Sequence, residues 1–165
     1  MFGTGGQAPT QLEAVCAVRS IKRVLVYSRT PGRRERFAAT MSGTLGIAVE
    51  AAKTPRDVVR SADIVITMTK ARDPVFNGDW LQPGVHVNAA GSNRTHAQEI
   101  DARTIERADL IVIDDRAQGR IEAGDLIAAE RQGALEWEDV VELGQVVAGD
   151  IEGRQDDESL SLIHI

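Results

Sequence analysis

The chain has 165 residues, 42% hydrophobic and 27% charged, which suits one globular domain with a buried core. A net charge of −6 argues against a general nucleic-acid binder, no apolar run reaches membrane-spanning length, and no leader pattern opens the chain, so the expected location is cytoplasmic. One cysteine, Cys16, excludes an internal disulfide framework, and no spacing of His, Cys, Asp or Glu suggests a metal site.

Charge is uneven along the chain. Between Arg19 and Arg36 stand seven bases and one acid, and between Glu136 and Glu158 nine acids and one base. Most of these side chains read as solvated surface, but the basic stretch coincides with a position of interest below.

The first stretch, Gly3-Thr4-Gly5-Gly6-Gln7-Ala8, reads as G-x-G-x-x-A. This is the pattern of a phosphate turn in a dinucleotide-binding unit. Glycines let main-chain amides approach a pyrophosphate at the positive end of a helix. Taken alone it reads equally well as a glycine-rich tail, and its context has to decide. Downstream, Ala8, Leu12, Val15 and Cys16 form one apolar stripe, predicting a helix over residues 7–20 with Cys16 as a small core residue. A β-rich run over 23–27 then supplies the second strand of a βαβ unit. Upstream, only Met1 and Phe2 precede the turn. The strand that should deliver the chain into it, central in the expected order 3-2-1-4-5-6, is therefore missing. Its absence predicts two groups of strands with no shared neighbour, and a poorly folded chain.

Thr30-Pro31 is a helix start, with proline at the first helical position, and the helix should run to about residue 44. Residues 47–50 read as a short strand. Thr54-Pro55-Arg56-Asp57 repeats the start signal with a capping-box acid. The apolar runs over 62–67 and 108–113, with 84–88 between them, read as strands buried on both faces of a parallel sheet. Helices are predicted around 119–132 and 139–148, with Glu122 and Asp125 as candidate caps. Strands alternating with helices define an α/β fold.

The tip of the second strand bears on cofactor choice. An NAD-selective unit carries a carboxylate there for the ribose hydroxyls. Here the tip is Ser28-Arg29-Thr30, followed by Arg33 and Arg34 in the next helix. Guanidinium groups grip a phosphate bidentately, so these residues predict a preference for NADP(H), with NAD(H) as the alternative. Arg36 reads as solvated surface.

With these pieces placed, the chain resembles the ornithine cyclodeaminase/mu-crystallin family. The resemblance rests on Gly3-Thr4-Gly5-Gly6-Gln7-Ala8, Ser28-Arg29-Thr30, Asp73-Pro74-Val75-Phe76, the run Gly84-Val85-His86-Val87-Asn88-Ala89-Ala90-Gly91-Ser92, and Glu142-Leu143-Gly144-Gln145-Val146-Val147-Ala148-Gly149. It implies a Rossmann-type doubly wound parallel sheet over residues 1–160, lacking its first strand. It also implies that a substrate and dimerisation domain, about as long again and N-terminal in relatives, is absent here. The chain by itself is then expected to be inactive, and its parent a homodimer. Residues 161–165 depart from the family pattern and read as an aberrant or truncated tail.

Carried over by position, the resemblance puts Thr4, Gly5, Gly6, Gln7 and Ala8 at the pyrophosphate. Ser28, Arg29, Thr30 and Arg33 fall at the adenosine 2′-phosphate, and Thr67, Met68 and Thr69 at the switch point after a strand. Asn88, Ala90 and Gly91 fall near the nicotinamide. Ornithine cyclodeaminases carry a catalytic aspartate just beyond the Val-Asn-Ala-x-Gly run, and the aligned residue here is Asn93. An amide exchanges no proton as a general acid or base near neutral pH. The resemblance therefore implies an oxidoreductase of small α-imino or α-keto acids, such as an imine or ketimine reductase or an alanine dehydrogenase-like enzyme. An NAD-dependent cyclodeaminase and a non-enzymatic dinucleotide-dependent binding protein stand as the alternatives. His96 is a second proton source in the same loop, read as solvent-facing, and His86 is read as structural.

Overall fold

In a computed structural model, which describes residues 1–165, the start signals become helices and the apolar runs become short strands. The turn leads into α1 (Ala8–Val18), then β1 (Arg23–Val26) and α2 (Pro31–Leu45). Thr30 and Pro31 open α2, and Gly46 ends it in the left-handed conformation that glycine adopts without strain (φ +67°). After β2 (Ala48–Ala51), α3 (Pro55–Arg60) opens with the predicted capping box. The Asp57 amide donates to Thr54 Oγ1 at 3.2 Å, and the Thr54 amide to Asp57 Oδ2 at 2.9 Å. There follow β3 (Ile64–Thr67), β4 (His86–Ala89), α4 (Ala102–Glu106), β5 (Leu110–Ile113), α5 (Arg116–Glu122), α6 (Gly124–Arg131), β6 (Val140–Glu142), α7 (Leu143–Ala148) and β7 (Ser161–His164).

The helix predicted at 119–132 is in fact two, broken at Ala123, whose ψ of 83° is not helical. Residues 140–142, assigned to a helix from the sequence, form an edge strand beside β5. The caps also differ from expectation. Asp115 caps α5, while Asp125 is buried inside α6 with a different task.

Every strand pair is parallel. β1 pairs with β2, and a second sheet runs β3-β4-β7-β5-β6. Phe2 joins the two, bridging to Tyr27 on one side and Thr67 on the other. On the β1 side, the Met1 amine donates to Leu25 O (2.7 Å), the Tyr27 amide to Met1 O (2.9 Å) and the Gly3 amide to Tyr27 O (3.0 Å). On the β3 side, the Phe2 amide donates to Ile66 O (2.7 Å) and the Met68 amide to Phe2 O (2.9 Å). The predicted gap between two unjoined groups of strands is thus corrected. Two residues suffice at this end of the sheet because each side of an extended chain offers a donor and an acceptor. Phe2 adds packing: it is 1% exposed, stacks on Phe76 at 5.4 Å and meets Tyr27 edge-on at 6.2 Å.

The expected strand order is corrected as well. β7 stands between β4 and β5, pairing Leu162 with both Val87 and Ile111. Residues 161–164, expected to lie outside the domain, therefore occupy an interior strand. Burial matches that interior place: Ser161, Leu162 and His164 are buried, Leu162 fully so in the larger core, and Ile163 is half-buried.

Helices pack on both faces. α1 and α2 cover one face of β1, β2 and β3 through Ala8, Leu12, Ala38 and Met41 against Val24, Val26, Val49 and Ile66. Val15 and Cys16 pack at the border of this cluster, and burial pushes the Cys16 thiol up, away from reactivity. The other face carries the larger core, where Val58 and Val59 of α3, Ile105 of α4 and Leu126 and Ile127 of α6 meet Val65, Val87, Ile111 and Leu162.

Candidate dinucleotide site

The two-residue lead through Phe2 delivers the chain into the glycine turn at the carboxyl ends of β1 and β3. Gly3 has φ +99°, and a methyl group there would sit 2.1 Å from Met68 O. Gly3 is thus required by the protein's own packing. Gly5 and Gly6 differ: a Cβ at either would meet nothing within 4 Å, and both are exposed. The main-chain amides of Thr4, Gly5, Gly6 and Gln7 donate to no group in the protein. Gln7, the N-cap of α1, makes no side-chain capping bond, and Ala8 behind it is fully buried. The result is a row of free donors over open space, at the positive end of an eleven-residue helix. These groups fit a diphosphate.

At the tip of β1 the arginines divide. Arg34 is committed to the protein: its Nη1 donates to Ser28 O at 3.0 Å, and its guanidinium lies 5.1 Å from the centre of the Tyr27 ring. Arg29 and Arg33 are exposed and take part in none of the protein's ion pairs. Thr30 is exposed as well, and its hydroxyl caps nothing. Ser28 Oγ donates to Thr30 O at 3.3 Å. Free cations and hydroxyls therefore gather beyond Tyr27, next to the glycine turn, with no carboxylate among residues 28–34.

The loops leaving β3 and β4 are built differently. Thr67 is fully buried, whereas Met68 and Thr69 are half-buried. The Ala90 amide donates to Thr67 O at 3.0 Å, tying the two strand exits together. Asn88 does not reach these exits. It lies within β4, and its Oδ1 accepts from His86 Nε2 at 2.9 Å, while His86 Nδ1 lies 2.8 Å from Ser161 Oγ. Burial drives the His86 ring toward its neutral form, in keeping with its structural reading. Ala90 and Gly91 do stand at the exit. Asn93 and His96 are exposed on the following loop, and Asn93 borders a small crevice with Gln118 and Glu122.

Glu99 escaped the sequence reading, and Asp125 was read there only as a helix cap. Glu99 is fully buried beneath the exits, its Oε1 accepting the Thr69 amide at 2.5 Å. Burial pushes its carboxyl above the ordinary range, against the opposing pull of Thr69, with the nearby Asp125 charge adding to the rise. Asp125, also fully buried, accepts the Glu99 and Ile100 amides on Oδ1 at 2.6 and 3.0 Å. The signal was faint: an acid in a polar loop and an acid in a predicted helix start look solvated in sequence.

A cavity of about 860 Å³ lies elsewhere. It opens at the amino ends of β3, β4 and β5, beside Arg19, His86, Leu143 and Arg154. Ligands of open parallel sheets bind at the carboxyl ends, so the glycine turn, not this cavity, marks the candidate site.

A doubly wound parallel sheet with a glycine turn before its first helix and cations at the neighbouring strand tip defines a Rossmann-like dinucleotide-binding domain. The pattern that defines the ornithine cyclodeaminase/mu-crystallin family matches residues 1–164, and the chain belongs to that family. It is 37% identical over 163 residues to a Delta(1)-pyrroline-2-carboxylate reductase of Bacillus cereus, covering 98% of this chain and 50% of that protein. Among solved structures it is similar to the Thermococcus litoralis Delta(1)-pyrroline-2-carboxylate reductase in complex with NADH and L-proline (36% identity, TM-score 0.95, 99% of this chain and 50% of that one). It is also similar to the iminosuccinate reductase of Paracoccus denitrificans in complex with NAD+ (28% identity, TM-score 0.90, 99% and 49%). The chain spans about half the length of these relatives.

Proposed function

We propose that this chain is the dinucleotide-binding part of an NADP(H)-dependent oxidoreductase acting on small α-imino or α-keto acids. The observation that carries the reading is the row of four unpaired amides at residues 4–7, over open space at the head of α1. These amides would hold the diphosphate. Arg29 and Arg33, with the hydroxyls of Ser28 and Thr30, would hold a 2′-phosphate, and Thr67, Met68, Thr69, Ala90 and Gly91 would flank the nicotinamide. The two relatives with solved complexes hold NADH and NAD+, and their names place them among imine reductases. The phosphate preference rests on this chain's own strand tip, where cations replace a carboxylate.

When bound, the cofactor supplies hydride exchange at the nicotinamide ring. This chain's residues at the β3 and β4 exits would orient that ring and shield one side of it from water. Asn93, aligned with the cyclodeaminases' aspartate, donates or accepts a hydrogen bond but moves no proton, which favours reduction over ammonia elimination. The parent protein is proposed to be a cytoplasmic homodimer. The test uses a polypeptide of the relatives' full length carrying these residues. NADPH oxidation with pyrroline-2-carboxylate or piperideine-2-carboxylate, without ammonia release from ornithine and NAD, is the expected result. Ammonia release without imine reduction would reverse the assignment, and NADPH binding with neither reaction would favour a binding role.

A further inference from the structure

Glu99 is the one buried acid whose carboxylate the fold leaves half-used. Its main chain is pinned from three sides. The amide donates to Asp125 Oδ1, the carbonyl accepts the Val75 amide at 2.8 Å, and the adjacent Gln98 amide donates to Ala71 O at 3.2 Å. The side chain thus has little freedom, and it points under the two strand exits. Oε1 takes the Thr69 amide, while Oε2 has no partner, and neither does the buried hydroxyl of Thr67. On the β4 side, a methyl group on Gly91 would lie 2.4 Å from Oε2 and 2.6 Å from Thr69 O. Gly91 is therefore glycine because Glu99 and the β3 exit close on it from below. No lysine or arginine pairs with the carboxylate.

We propose that Glu99 is a positioning residue, a buried carboxyl that sets the spacing between the β3 exit at residues 67–69 and the β4 exit at residues 90–91, where the nicotinamide end of a dinucleotide sits. The inference rests on the dinucleotide reading above. It assigns Glu99 no contact with the cofactor. Its role is to hold Thr69 and Gly91 at one separation, so that the ring meets a preformed wall. An acid without a counter-charge in such a place serves through shape and hydrogen bonding rather than charge. Gln is then an adequate replacement and Met is not: Gln keeps an acceptor for the Thr69 amide and a donor toward Thr67 Oγ1, and Met keeps only the volume.

The experiment titrates the protein with NADPH and, separately, with 2′,5′-ADP, which has the adenosine end but no nicotinamide. Bound-NADPH fluorescence is recorded alongside. For Glu99→Met, NADPH affinity should fall roughly tenfold or more and the bound-nicotinamide emission should shift, while 2′,5′-ADP affinity stays within about threefold. Glu99→Gln should keep both affinities within about threefold of the parent and restore the emission. Should Glu99→Met fail to fold, Gly91→Ala drives a methyl between the same two exits and should produce the same split. Equal losses for the two ligands, no loss at all, or a Gln variant as impaired as Met would each overturn the role of Glu99 while the unmodified protein still binds NADPH. If the unmodified protein binds neither ligand, the dinucleotide reading itself falls and takes this one with it.

Discussion

The two ends of the candidate groove treat their polar groups in opposite ways. At the glycine turn and the β1 tip, four amides and two guanidinium groups are left without partners, at the surface. At the β3 and β4 exits, Thr69 bonds Glu99, Glu99 bonds Asp125 and the Ala90 amide bonds Thr67 O, and only the buried side-chain atoms Thr67 Oγ1 and Glu99 Oε2 are left over. Unpaired donors in solvent cost little and stand ready for an anion, whereas buried polar groups must be paired and so fix geometry. On the proposed reading, one end receives charge and the other holds a shape.

Phe2 links the two ends, so removing it should produce the largest effect. Phe2→Ala deletes a fully buried ring stacked on Phe76, and we predict a loss of about 3–5 kcal/mol in denaturant unfolding. A loss below about 1 kcal/mol would mean that the joint between the sheets lies elsewhere. Next come the glycines, which separate protein-shaping from ligand-receiving roles within one motif. Gly3→Ala should cost about 1–3 kcal/mol of stability, from a positive φ and a clash with Met68 O. Gly5→Val should leave stability within about 0.5 kcal/mol yet weaken NADPH binding roughly tenfold, because its side chain fills the diphosphate's space. If Gly3 and Gly5 variants behave alike in both assays, the division between the two glycines is wrong.

The β1 tip supplies a finer contrast. Arg29→Asp should raise the NADPH dissociation constant at least about tenfold more than that of NADH, since the new carboxylate repels a 2′-phosphate but accepts from ribose hydroxyls. Equal weakening of both would remove the specificity assignment. The smallest effect is expected at Arg36, exposed and a turn further along α2, where Arg36→Ser should leave NADPH affinity unchanged in the same titration. A large loss there would point to diffuse electrostatic attraction rather than a defined phosphate site.

This contrast also explains what could be read from the chain and what could not. The receiving end was legible because its chemistry is local: glycine spacing, the Thr30-Pro31 start and the arginines beyond Tyr27 lie close together in sequence. The capping box at Thr54 and Asp57 was legible for the same reason. The shape-holding end depends on residues brought together by folding. Glu99 meets Thr69 across thirty positions, and Asp125 meets Glu99 across twenty-six. Nothing local marks either as buried. The same holds for β6, three residues of Val-Val-Glu that match a helix start as well as a strand. It holds too for β7, whose place between β4 and β5 is set by pairing alone. Asn88, expected near the nicotinamide from its motif, has its Oδ1 bonded to His86 two positions before it on the same strand face.

The most direct test of the central claim observes the amides themselves. In a ¹⁵N-labelled sample titrated with NADPH, the resonances of Thr4, Gly5, Gly6 and Gln7 should move together and saturably, with Arg29 and Arg33 following. If those four amides stay still while the cofactor binds, or no resonance moves at all, the diphosphate is not held at the head of α1 and the account fails.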